Sequence, residues 1–226
     1  MEIQALPVLR WLHIVCMVYW LGGEWGVFNT ATYVCDRKLS MEERRRHMAT
    51  AYNIDILARS GIILLLPLGL HMGFYWNVQP LGGAWLTGMW VLAFAWWGLC
   101  LAAYFTHKTD TGITLTKIDE KIRFVVIPIL VVCAVGTFLG YGPFGTQQGQ
   151  MWYPAKIFLY AGALCIGLYL RFVMRAWQEL FRVLAQGPNA DAEARLEREM
   201  RQSKRVAYFY WVVILSIAFL GATKPF

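Results

Sequence analysis

The sequence predicts an all-α integral membrane bundle of six transmembrane helices with both termini outside. Three observations lead there. Hydrophobic residues make up 58% of the 226 residues, more than a soluble domain of this size can cover. They fall in long blocks near 5–30, 56–77, 84–106, 123–142, 152–178 and 206–223, each close to the ~20 residues that cross ~30 Å of hydrocarbon. The connections between blocks alternate between basic and nearly uncharged, which sets the orientation. Continuous apolar runs without two-residue alternation select helices over a barrel, because lipid offers the backbone no hydrogen-bond partner.

The first block reads as a retained span. It lacks a basic leading region, runs too long for a signal peptide, and carries Glu24 and Trp25 where small residues are expected. The second contains Pro67, which frees a backbone carbonyl and favours a kink, with Gly69 and Gly73 nearby. The third and fifth open with Trp85 and Trp152, and the fourth runs into the glycine-rich turn GYGPFGTQQGQ. Before the sixth, the segment 188–204 (PNADAEARLEREMRQSK) carries an N-cap residue in Asn189 followed by helix formers of mixed charge. It reads as a solvated helix continuing from the fifth span.

The net charge of +7 does not point to nucleic acid, because its placement follows the spans. Of the 21 Lys and Arg residues, all but Arg10, Lys156 and Lys224 lie in loop 35–59 and segments 107–123 and 171–205. The positive-inside rule puts those three connections in the cytoplasm. Trp76, Trp85, Tyr141, Trp152 and Tyr153 cluster at the opposite boundary, as an interfacial belt does. The five cysteines are scattered without a CxxC or CxxCH pattern, so they read as small buried residues with no covalent haem attachment.

Two histidines carry the chemistry of the reading. His13 lies early in the first span and His71 late in the second. Antiparallel spans bring these positions to one depth, where two imidazoles can hold a b-type haem iron. On a 3.6-residue helix His13 shares a face with Arg10, Met17, Trp20 and Glu24. Charges in a span cost ~2.5–3.5 kcal/mol on insertion scales, so this stripe faces protein rather than lipid. Arg10 suits a haem propionate; Trp20 and Met17 suit packing on the macrocycle, and Met17 also competes with His71 as a thioether ligand. Glu24, roughly 16 Å further along the helix, suits proton transfer. Lys156, one turn into the fifth span, either snorkels to the interface or attracts an anion. Glu24 and Lys156 are thus the candidate catalytic residues. His47 and His107 sit at the basic boundary outside apolar context, so one haem is the economical count. The plain alternative for each intramembrane polar residue is a hydrogen bond between helices.

Leu12-His13 with Trp20-Leu21-Gly22-Gly23, then Trp152-Tyr153-Pro154-Ala155-Lys156, and the ending Lys224-Pro225-Phe226 resemble the bacterial HemJ/CopD-like membrane proteins. Arg10-Trp11-Leu12-His13 followed by W-x-G is also similar to the membrane half of membrane-bound urate oxidases. The resemblance implies a haem b protein of the bacterial inner membrane, with His13 as the carried-over ligand. HemJ-type proteins are protoporphyrinogen oxidases and usually have four spans; CopD-type proteins are linked to copper uptake. Their second-span pattern is not reproduced here, so His71 rests on its position alone. The expectation is a b-type cytochrome that passes electrons to quinone or a partner redox protein, with the haem supplying the redox chemistry. Its alternatives are a protoporphyrinogen-type oxidase and a copper-transport protein. Donor, acceptor and association of copies stay open.

Overall fold

Six helices form where the apolar blocks lie, and local capping chemistry decides where they begin. The computed structural model describes residues 4–145, 147 and 149–226. It contains α1 (Ala5–Val34), α2 (Met41–Tyr75), α3 (Ala84–Phe105), α4 (Asp110–Phe138), α5 (Trp152–Leu184) and α6 (Ala190–Thr223). All six are long and apolar enough to cross a membrane, and the protein is a multi-pass helical bundle. Thr146 and Gln148 of the glycine-rich turn lie outside the described residues.

Ser40 and Glu43 make a reciprocal capping box at the start of α2. The Glu43 amide donates to the Ser40 hydroxyl at 3.2 Å, and the Ser40 amide donates to Glu43 Oε2 at 2.9 Å. Thr109 accepts from the Gly112 amide at 3.2 Å at the start of α4. Asn189 caps α6 as its sequence position predicts, accepting from the Ala192 amide at 2.9 Å.

These caps lie well outside the apolar blocks, so much of the expected loop is helix. Arg44, Arg59, Arg123 and Arg171 stand within α2, α4 and α5. Segment 188–204 also differs from its expected form. It belongs to α6 rather than continuing α5, and it is not solvated throughout. Ala192, Leu196 and Met200 pack with Trp177, Leu180, Phe181 and Leu184 in a second apolar cluster. Arg44 anchors that cluster: its forked nitrogens donate to the Glu193 carboxylate at 2.6 and 3.0 Å, and its Nε donates to the Val34 carbonyl at 2.7 Å.

The helices pack in chain order, each against the next, and α6 returns to α1. Close approach of α1 and α2 depends on small residues, as in other lipid-embedded pairs. A side chain begun at Gly23 would meet Ala58 Cβ at 2.9 Å, and one at Gly61 would meet the Trp20 nitrogen at 2.9 Å. The α1–α6 seam is aromatic instead. Trp25 stacks on Trp211 with centroids 4.5 Å apart, and Phe28 meets Trp211 edge-on at 5.0 Å. Outward faces carry Val18, Leu92, Phe124, Val132, Val212 and Phe219, all exposed, as a lipid-facing surface requires.

The aromatic belt is only half as expected. Trp85 and Tyr141 are 70% and 91% exposed, whereas Trp152 and Tyr153 are buried in the main core. The chain end explains this burial. The Trp152 amide donates to the Phe226 carbonyl at 2.9 Å, and Lys224 Nζ lies 3.8 Å from the Trp76 ring centroid. The Lys-Pro-Phe ending therefore folds over the first turn of α5.

Because Gly61 seats Trp20, Gly61→Ala should destabilise the bundle by about 1–3 kcal/mol. Gly22, which has nothing within 4 Å of an added Cβ, should tolerate alanine without loss. Thermal unfolding of both variants in one detergent checks the contrast.

Candidate functional site

The polar stripe of α1 faces inward along most of its length, but its members enter different surroundings. Arg10 is exposed. His13 is half-buried, with Nδ1 buried and lacking a hydrogen-bond partner among the described residues. Met17 is half-buried against the main core. Trp20 is wholly buried; its Nε1 donates to the Tyr210 hydroxyl at 3.1 Å, and its ring meets Tyr160 edge-on. Glu24 lines a large cavity further along the helix.

His13 lies against the glycine face of α2. Its Cε1 is 3.5 Å from the point where a Gly69 side chain would begin. Tyr153 of α5 shares that face: its hydroxyl donates to the Gly69 carbonyl at 3.3 Å and fills the gap at Gly73. Lys156, half-buried one turn further along α5, places its Nζ against Gly221 of α6.

His71 is turned elsewhere. Two residues past Gly69, it lies about 200° around the helix at 3.6 residues per turn. Its Nδ1 accepts from Trp90 Nε1 on α3 at 3.1 Å, and its ring stacks on Tyr75. A neutral imidazole that accepts at Nδ1 carries its proton on Nε2. Gly69, which meets His13, and His71 thus point to different faces of α2, and the hydrogen-bond partner of His71 is Trp90 of α3. Met72, by contrast, is buried with Leu9 and Leu68 on the α1 side. His47 stacks on Tyr33, and His107 is bonded through Nδ1 to the Tyr104 carbonyl at 2.6 Å. Among the described residues no three His, Cys, Asp or Glu side chains converge as a metal cluster.

An arginine cluster at the basic end is the feature that sequence reasoning missed. Asp119 of α4, only 2% exposed, accepts from Trp96 Nε1 at 2.6 Å and from Arg123 Nε at 3.3 Å. It also accepts from Arg171 of α5. Arg59 pairs with Asp55 one turn earlier in α2, and Arg175 pairs with Glu120. The signal was present: Asp55/Arg59 and Asp119/Arg123 are both carboxylate–guanidinium pairs spaced i,i+4. Counting these arginines as loop charges hid it.

Beside the cluster lies a cavity of about 680 Å³, bordered by Glu24, Arg59, Arg123, Arg171, Tyr210 and Trp211. Of the residues expected to carry chemistry, only Glu24 borders it; His13, His71, Arg10, Met17, Trp20 and Lys156 do not. Compared with protein-family models, curated proteins and solved structures, the chain matches none.

If the Trp90 indole orients His71, Trp90→Phe should release that ring and leave His13 untouched. The imidazole NMR signal of His71 should shift, and that of His13 should not.

Proposed function

We propose that this chain is a bacterial inner-membrane b-type haem protein that carries electrons to quinone or to a partner redox protein. The single observation behind the reading is the buried Nδ1 of His13, which has no hydrogen-bond partner among the described residues. A polar atom buried without a partner costs about 1–3 kcal/mol, and coordination to iron is one way to recover that cost. The resemblance of the His13 segment to haem-binding membrane proteins points the same way.

The fit is partial, and it redistributes the expected roles. His13 would supply a nitrogen to hold the haem iron. His71 already accepts a hydrogen bond from Trp90 at the nitrogen nearer its backbone, so it fits the second position less well than Met72. Among the described residues Lys156 has no salt-bridge partner, and it is half-buried on α5 near Tyr153, which suits it to a propionate. Arg10 is exposed and serves better as an interfacial anchor. When bound, a haem would supply reversible one-electron transfer. The chain's own contribution is to hold the ligand nitrogen, exclude water and balance carboxylate charge. The asymmetric basic residues place the connections α1–α2, α3–α4 and α5–α6 in the cytoplasm in this reading.

A haem-dependent oxidase of protoporphyrinogen type is the second reading, favoured by the cavity that Glu24 borders. It would give Glu24 a proton-accepting role that simple electron transfer does not need.

Absorption spectra of purified protein, oxidised and dithionite-reduced, test the proposal. Sharp reduced b-type bands are expected, with His13→Ala lowering haem occupancy about 10-fold or more. His71→Ala should retain most of the haem, while Met72→Leu should alter the spectrum. A colourless protein, or one that binds copper instead, defeats the reading. Equal haem loss from His13→Ala and His71→Ala would restore the paired-histidine arrangement.

A further inference from the structure

Buried hydrogen-bonding atoms left without a partner are not spread evenly through this molecule. Among the described residues, they include Arg59 Nε, Arg123 Nη2, Trp177 Nε1 and Ser203 Oγ. All four residues border the cavity at the basic end. Three of these atoms are nitrogens that only donate, and the fourth is a hydroxyl that can donate. Arg123 is 3% exposed and Trp177 4% exposed, so bulk water does not satisfy them. One cavity thus gathers unspent donors from α2, α4, α5 and α6.

The charge balance points in the same direction. Asp55 answers Arg59, but the single carboxylate of Asp119 serves both Arg123 and Arg171. One guanidinium charge is therefore uncompensated by these partners. Glu24, the other carboxylate on the cavity wall, lies near all three arginines, but among the described residues it forms no direct ion pair with them. Exposed Arg45, Lys108 and Lys117 add positive charge around the opening, and such a rim concentrates anions. The remaining wall is apolar and aromatic, with Phe28, Tyr210 and Trp211 among its residues. The volume of about 680 Å³ falls in the usual range of ~300–1,000 Å³ for small-molecule sites.

We propose that this cavity binds an organic anion consisting of an aromatic body and a carboxylate, the carboxylate seated at Arg123 and Arg171. The planar fork of arginine matches a carboxylate, Trp177 and Ser203 supply further donors, and the aromatic wall holds the body. The site is independent of His13 and of the electron-carrier reading. An anionic lipid headgroup offers the same oxyanion chemistry. The charged rim favours a soluble ligand, because a lipid-entry path would be lined with apolar residues.

Calorimetric titration of the full chain in phosphatidylcholine nanodiscs tests the assignment, with naphthalene-2-carboxylate as probe. Its neutral alcohol counterpart and inorganic phosphate serve as comparisons. Saturable one-to-one binding of the carboxylate is expected, at least ~10-fold tighter than the alcohol. Phosphate should bind more weakly, because it lacks the aromatic body. Arg123→Gln should weaken carboxylate binding by about 10-fold or more. Trp177→Phe, which removes one donor and keeps the ring volume, should weaken it by roughly 3- to 10-fold. This second variant guards against misfolding of the first. Equal affinity for carboxylate and alcohol overturns the proposal, as does affinity insensitive to Trp177→Phe in a folded protein. Loss of carboxylate binding in phosphatidylglycerol discs would assign the site to a lipid headgroup and overturn the soluble-ligand assignment.

Discussion

A charge carried on a membrane helix must meet its partner inside the bundle, and Asp119 is where this molecule meets that demand. One carboxylate accepts from Trp96 on α3, from Arg123 on its own helix and from Arg171 on α5. Three consecutive helices are thereby fixed in rotation as well as in depth. Removing one partner of such a buried group leaves an uncompensated charge and costs about 3–5 kcal/mol. Dispersion contacts with lipid-like side chains give little rotational preference, because the lipid is as apolar as the core. The Asp119 node supplies the preference that α3, α4 and α5 otherwise lack. On the other side, the contact of Gly61 with Trp20 and the Trp20–Tyr210 hydrogen bond fix α1 and α2 against α6.

The six helices were legible because hydrophobic length is a direct physical requirement of the bilayer. Helix ends were less legible, since caps such as Ser40 and Thr109 act where polar sequence continues the helix beyond the membrane. Asn189 was the exception, readable as a cap but attached to the wrong span. The Gly-Pro turn before it separates α5 from α6. The inward face of α1 was also legible, because Trp20 and Glu24 repeat at helical spacing from His13.

Azimuth on α2 was not legible. Sequence gives the depth of His71, but its direction depends on which face of α2 meets α1. Gly69 and Gly73 decide this by admitting His13 and Tyr153 against bare backbone. The space beside both glycines is occupied by aromatic side chains. His71 then falls to the α3 side, where Trp90 provides its hydrogen bond. The arginine cluster was missed for a related reason: a charge count assigns residues to a side of the membrane but does not say which ones fold inward.

The two polar regions left by this packing are kept apart. His13 and Glu24 lie on one helix face about 16 Å apart, with Trp20 between them. Trp20 is wholly buried, edge-on to Tyr160 and Tyr210, and bonded to the latter. Water entering the cavity at the basic end therefore meets an aromatic layer before it reaches the His13 neighbourhood. The buried His13 nitrogen on one side and the donor-rich pocket on the other then lie in different environments within a single bundle. The α1–α2 seam thus sets the separation of the two regions as well as the fold.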